Sequence, residues 1–306
     1  MTIAPILLLI FNRPETTRRI ISELRKIKPS ILYVAADGPR KNNPGDKTLC
    51  RETREVISEI DWVCEVKVLY RNHNLGCGKA VSEGVTWFFS HEKEGIILED
   101  DCLPSRSFFL FCSTLLDKYR EETKVMHISG LNWQKGKWWG KGSYYFSVYP
   151  GIWGWATWRD RWKKYCYYID DVDIEKFVSN GELERITANK KEQEYHLNSF
   201  KESLVVDTWD YQWKFTVFKN KGICIFPNLN LVSNIGFGLN ATHTKNIYSK
   251  DANRKKYEMI FPLSHPKELK VHKKADKEMA RMKFLGDNSK IQTPQFCKGI
   301  IKRLFQ

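Results

Sequence analysis

The sequence has no apolar run near the ~20 residues that a membrane-spanning helix needs. The longest such stretch near the start, residues 6–11, has no basic leader of a secretion signal before it, so a cytoplasmic protein is expected. Eight cysteines occur, but none forms a C-x-x-C pair or clusters with histidine at zinc spacing, which excludes a structural zinc site and fits reduced thiols. The phosphate-binding glycine motifs are also missing. Gly76-Cys77-Gly78-Lys79-Ala80-Val81 approaches a Walker loop, yet His73 stands where the first glycine belongs, and Ala80 replaces the hydroxyl that meets magnesium. A dinucleotide fingerprint fails at Val81. There is no internal repeat, no low-complexity linker and no nucleic-acid-binding motif. Asn240-Ala241-Thr242 fits a glycosylation sequon, but no export signal accompanies it.

What is present is an ordinary globular composition, 42% hydrophobic and 28% charged over 306 residues, enough for one large core or two moderate ones. The net charge of +14 is unevenly placed, because residues 245–306 carry sixteen basic and six acidic side chains. Such a tail suits anionic lipid, nucleic acid or a phosphate-bearing substrate, or simply a solvated face. Within it Phe296, Ile300, Ile301, Leu304 and Phe305 fall at helical spacing among Lys298, Lys302 and Arg303, the pattern of a short basic amphipathic helix.

Along the first hundred residues, strand-like apolar runs alternate with helical patterns, the order of a mostly parallel sheet flanked by helices. Strands are expected over 6–11, 31–36, 66–70 and 95–98, and helices after Asn12-Arg13-Pro14-Glu15, over roughly 48–60, and around Ala80, Val81, Gly84, Val85, Phe88 and Phe89. Asn12 offers the cap of the first of these helices. Another helix carries Phe108, Phe109, Phe111, Cys112, Leu115 and Leu116, and further strands are expected over 125–129, 223–226 and 229–232. Between Trp133 and Trp162 lie seven of the eleven tryptophans, in a stretch too irregular for one element. The chain divides into residues 1–244, with a nucleotide-binding half (1–104) and an acceptor-binding half (105–244), and a basic extension over 245–306.

Glu99-Asp100-Asp101 closes the fourth strand. In an open α/β sheet ligands bind beyond the carboxyl ends of strands, and a hard cation takes one or two carboxylates plus substrate phosphates there. Adjacent side chains diverge, so one of them, Asp101, is the expected ligand of Mn²⁺ or Mg²⁺.

Several blocks in order, Asn12-Arg13-Pro14, Asp37-Gly38-Pro39, the Arg71-Asn72-His73-Asn74-Leu75-Gly76 turn and Ile97-Leu98-Glu99-Asp100-Asp101, resemble GT-A glycosyltransferases. The likeness is to the N-acetylglucosaminyltransferase I family, whose metal motif is also Glu-Asp-Asp, and more generally to bacterial family-2-like sugar transferases. Pro150-Gly151-Ile152-Trp153-Gly154-Trp155, Trp209-Asp210 and Phe237-Gly238 with Thr242-His243 are similar to later blocks of that family. The resemblance implies a GT-A fold in which Arg13 lies near the donor diphosphate, Asp37 on the uracil ring and Asp101 on the metal, with Asp100 and Lys79 further candidates at the nucleotide and Glu99 at the sugar. For the general base it points to Asp210. Where the family has a second aspartate this chain has Tyr211-Gln212, so Asp207 is the rival. Trp133, Trp153 and Trp155 are candidates for the acceptor cleft, since sugar C–H faces lie flat on indole rings, and His243 for a phosphate in a closing loop.

The implied activity is transfer of a sugar, with inversion, from a UDP-sugar to a saccharide or lipid-linked saccharide acceptor, in assembly of a bacterial surface polysaccharide or glycoconjugate. The tail offers peripheral contact with the inner face of the membrane. Two other functions remain open: a sugar nucleotidyltransferase, expected to carry a glycine-rich basic signature after the first strand, and a non-catalytic carbohydrate-binding protein on the same fold.

Overall fold

The computed structural model describes residues 2–238, 246, 249 and 251–285. The sequon, His243 and the 296–305 pattern lie outside the described residues.

The parallel strands are β1 (Ile6–Ile10), β2 (Ile31–Ala36) and β4 (Glu94–Glu99), written largely in aliphatic residues, and β3 (Glu65–Tyr70), which alternates apolar with polar ones. β1, β2 and the centre of β4 are buried on both faces, as continuous apolar runs in a covered parallel sheet should be. After a short β5 (Cys102–Pro104) the chain adds β6 (Val125–Ser129), β7 (Tyr144–Ser147), β8 (Trp155–Trp158), β9 (Ile223–Pro227) and β10 (Val232–Asn234). Eight strands make one sheet in the order β3-β2-β1-β4-β8-β6-β9-β7, while β10 pairs antiparallel with β5. The expected α/β architecture is thus present. The irregular aromatic segment resolves into two strands of this same sheet, and the strand expected over 229–232 lies at 232–234.

The helices in chain order are α1 (Pro14–Ile27), α2 (Gly45–Glu55), α3 (Cys77–His91), α4 (Arg106–Lys118), α5 (Arg159–Trp162), α6 (Asp171–Ser179), α7 (Glu182–Ile186), α8 (Lys190–Glu202), α9 (Asp210–Lys219) and α10 (Lys273–Lys283). The helix expected over 48–60 ends at Glu55 and passes into a 3₁₀ turn, Val56–Glu59. Asn12 does not cap α1. Arg13 holds the cap position, and Asn12 Nδ2 donates instead to Asp46 Oδ1 at 2.9 Å.

Core side chains fall into two layers, one on each face of the sheet. Ile20, Ile21, Leu24, Phe108 and Leu115 belong to one, and Val85, Phe88, Trp155, Trp213 and Phe215 to the other. Residues beyond 245 contribute too, with Met259 and Leu263 in the first layer and Ala275 and Met279 in the second, so the part of the basic extension over 251–285 packs on the sheet.

This topology positions the site. From β1 the chain winds outward through β2 to β3, then returns to place β4 on the other side of β1, with Leu9 opposite Glu99. The order therefore reverses between β1 and β4, and the crevice at their carboxyl ends is where such sheets bind ligands.

Candidate functional site

A cleft of about 460 Å³ opens at that switch point, lined among others by Arg13, Asp37, Glu99, Asp101, Trp153 and Asp210. Arg13 follows β1 and reaches over the acidic triplet, with Nη1 3.1 Å from Asp100 Oδ1 and 2.8 Å from Asp101 Oδ2. The second oxygen of Asp100 accepts from the Phe11 backbone N–H at 3.1 Å. Asp100 is therefore a brace between the ends of β1 and β4, while Asp101 presents its carboxylate to the cleft.

Negative charge is in excess. Burial, then the nearby charges of Asp101, Asp100 and Asp210, push the Glu99 carboxyl well above its usual range, and Arg13 opposes them only in part. Burial also raises Asp100 to about 6, against the pull of Arg13. For Arg13 burial disfavours the charge, but Asp100 and Asp101 outweigh it and hold the guanidinium firmly protonated. One arginine thus faces several carboxylates, an arrangement that favours a further cation.

The donor set suits a hard divalent ion, and the space does as well. Ile235 N–H donates to Asp101 O at 2.8 Å, which brings Gly236 so close that a Cβ there would sit 2.2 Å from Asp101 Oδ2. Among the described residues no three His, Cys, Asp or Glu side chains converge as a ready-made cage. A metal held at Asp101 would need phosphate oxygens to complete its shell.

Asp37 occupies the turn after β2. Its oxygens accept from Asn74 Nδ2 at 2.8 Å and from the Leu75 backbone N–H at 3.0 and 3.1 Å, so it ties the 71–76 turn to the cleft rim. Burial raises its pKa, and these backbone donors counteract that.

The two candidate bases differ sharply. Asp207 Oδ2 and Oδ1 accept from the Cys77 and Gly78 backbone N–H groups, each at 2.7 Å, so this carboxylate caps α3 from another loop. Both oxygens are committed to the unsatisfied donors of a helix start, with favourable dipole alignment. Asp210 begins α9 on the cleft wall, and its Oδ1 accepts from the Thr208 hydroxyl. Its charge is felt by Glu99 across the cleft.

Two site assignments need correction. Trp155 is not in the acceptor cleft: it is 1% exposed on β8, stacked on His127 at 5.2 Å and on Trp209 at 5.5 Å. Every residue of β8 is buried, Trp155 included, whereas Trp153 precedes the strand and lines the cleft. Lys79, expected at the nucleotide, does not line the cleft either. It lies on the solvent side of α3, 3.8 Å from Glu83, while Cys77, Ala80 and Val81 of the same helix face inward. Trp133 packs edge-on to Trp153 at 6.5 Å, behind the cleft wall.

Sequence reasoning missed Asn74, Arg40 and Asn234 as lining residues and His127 as an organiser. His127 is fully buried, with Nε2 2.9 Å from Gly151 O and Nδ1 accepting from Trp213 Nε1 at 3.1 Å, which ties α9 to β6. Asn74 lay within a turn motif that could have flagged it. Nothing local marked His127, whose partners are distant in sequence.

No family model and no curated protein matches the chain. Similar solved structures include apo UDP-glucose pyrophosphorylase, 10% identical, covering 72% of this chain and 89% of its own, with a TM-score of 0.34. HddC from Yersinia pseudotuberculosis is 7% identical, covering 51% and 77%, with a TM-score of 0.32. The 4-diphosphocytidyl-2C-methyl-D-erythritol synthase from Anaerococcus prevotii is 9% identical, covering 57% and 84%, with a TM-score of 0.33. None of these three is a glycosyltransferase by name, and likeness of this size carries no argument about chemistry. The strand order itself defines a Rossmann-like α/β protein with a cleft at its switch point.

Proposed function

We propose that the protein is a transferase acting on a nucleotide sugar, and that it moves the sugar to a saccharide acceptor. The reading rests on one observation: Arg13, the Glu99-Asp100-Asp101 strand end and Asp210 line the same cleft. A guanidinium matches phosphate geometry and places the diphosphate beside Asp101. A manganese or magnesium ion held by Asp101 would offset leaving-group charge. Asp210 accepts the proton of the acceptor hydroxyl as that oxygen attacks the anomeric carbon. Asp207, spent on the α3 backbone, is not the base in this reading. Trp153 gives the acceptor a flat apolar face.

Nucleotidyl transfer is the second reading. Against it, the turn after β1 reads Phe11-Asn12-Arg13, with no glycine to let a backbone wrap a triphosphate. Incubation with a panel of UDP-sugars and saccharides decides between them. Sugar transfer releases UDP, whereas nucleotidyl transfer consumes UTP and a sugar phosphate and releases pyrophosphate. Binding of saccharide without either product would mark a carbohydrate-binding protein.

Among the described residues no helix is long and apolar enough to cross a membrane. Reversible attachment of residues 296–305 to anionic lipid would bring the cleft to lipid-linked acceptors. Sedimentation with anionic vesicles, weakened by salt and lost on deletion from Phe296 onward, is the supporting result; no binding, or binding unchanged by the deletion, sinks it.

A further inference from the structure

A second hollow, of about 660 Å³, lies between α2 with its following 3₁₀ turn and the edge strand β3. Its walls carry Lys47, Arg51, Arg54 and Arg71 against a single carboxylate, Glu55. Arg51 is paired with Glu55 at 2.8 Å and Arg71 with Glu83 at 3.2 Å. No described residue places a carboxylate within 4 Å of Lys47 or Arg54.

Arg54 is the unusual member. Its guanidinium lies over the Tyr70 ring at 5.0 Å, and Nη2 donates to Asp37 O at 3.1 Å and Arg71 O at 2.6 Å. Those carbonyls belong to the two turns whose side chains, Asp37 and Arg71, line the catalytic cleft. The Nε of Arg54, in contrast, is buried and has no hydrogen-bond partner. An orphaned buried donor on a charged group is costly, and an ion that the polypeptide alone does not supply is a common answer.

We propose that this groove is a second anion site that takes a phosphorylated small molecule, and that its occupancy is coupled to the cleft through Arg54. Lys47 and Arg51 meet the phosphate at the mouth, Arg54 turns its free donor to it, and Tyr70 with Ile57 offers an apolar wall for the organic part. Because Arg54 also holds the backbone of both cleft turns, engaging it shifts their balance. Linkage then requires the nucleotide in the cleft to alter anion affinity in the groove by the same factor. The site does not depend on which group the enzyme transfers.

Inorganic phosphate and glucose 1-phosphate are the probes, titrated calorimetrically into wild type, the double variant Lys47→Ala/Arg51→Ala, and Arg13→Ala in the cleft. Both replaced groove residues are exposed, so the fold should survive, which thermal melting checks. Expected is binding by wild type and by Arg13→Ala, weakened about tenfold or more in the groove double variant. Loss in Arg13→Ala with the groove variant unchanged, or no binding by wild type, overturns the site. Glucose 1-phosphate binding no more tightly than phosphate overturns the organic subsite. UDP affinity should shift about fivefold or more under saturating phosphate in wild type and stay constant in the groove variant. No shift in wild type, or the same shift in the groove variant, which would mean competition inside the cleft, overturns the coupling. If UDP fails to bind wild type at all, the nucleotide-sugar reading falls while the phosphate titrations still judge the groove.

Discussion

Arg13 Nη1 lies 2.8 Å from Asp101 Oδ2, so a guanidinium holds one oxygen of the carboxylate proposed to take the cation. The pair is only 20% and 14% exposed on its two sides, so its charges are not spent on water. In the proposed reading, an arriving diphosphate would give Arg13 a second anion to serve and would free Asp101 for a metal. Asp101→Ala should therefore weaken UDP binding about tenfold or more in manganese and leave no difference between manganese and chelator. Arg13→Ala should weaken UDP binding while strengthening manganese binding without nucleotide, since the competitor for Asp101 is gone. Calorimetry with and without EDTA reads both, and equal UDP affinity in metal and chelator for wild type would refute the metal role.

The two aspartates near α9 should separate in kinetics. Asp210→Asn is expected to lower turnover about a hundredfold or more with UDP binding nearly intact, the scale of a lost general base. Asp207→Asn keeps a carbonyl acceptor for one of the α3 donors and loses the charge at the helix start. It should cost about 1 kcal/mol of stability and change turnover less than tenfold. The reverse pattern would make Asp207 the base.

Much of the fold was legible because most strands in the first hundred residues are written as continuous apolar runs. Ile6–Ile10 and Ile31–Ala36 are buried through most of their length, and α3 buries the stripe of Val81, Val85 and Phe88 that its helical spacing marks. The acidic triplet was legible for the same reason, since it follows an apolar run that reads as a buried strand. The aromatic half was less readable. Tryptophan suits a core as well as a sugar face, and Trp155 went to the core through His127, Trp209 and Trp213, contacts made at long range in sequence. Asp207 was ambiguous because its partners, the Cys77 and Gly78 amides, lie 130 and 129 residues away.

Gly236 tests the proposed metal site without replacing its ligand. Its φ is not in the left-handed region, so alanine is tolerated by the backbone, but the new Cβ meets Asp101 Oδ2 at 2.2 Å. Gly236→Ala should displace that carboxylate, keep the melting temperature within a few degrees and raise the manganese needed for half-maximal activity about tenfold. Unchanged manganese dependence would show that Asp101 does not hold the ion.

Trp153 and Trp155, two residues apart, should respond to truncation in opposite ways. Trp155→Ala empties a fully packed position and should cost about 3–5 kcal/mol. Trp153→Ala should leave the fold near wild type and raise the acceptor KM with little change in that for the donor. Denaturant melts and initial rates at varied acceptor distinguish the two, and equal destabilisation would return Trp153 to the core.

The anchor of α10 should be pH-sensitive. Asp276 Oδ2 accepts from the Val148 backbone N–H at 3.1 Å, but Oδ1 is buried without a partner, and burial raises the group to about 7. A carboxyl with a raised pKa binds more protons folded than unfolded. Its contribution is therefore fully present below its unfolded pKa near 4 and is lost as pH rises through 7, by at most about 1.4 kcal/mol per unit. His127 and His196, held down to about 4 by burial, act in the opposite direction as pH falls, but equally in wild type and variant. Asp276→Asn imitates the neutral acid, so the margin by which the variant is the more stable should be wider at pH 8 than at pH 5. Urea unfolding at both values measures the difference, and a gap that does not change with pH would mean that Asp276 is ionised throughout.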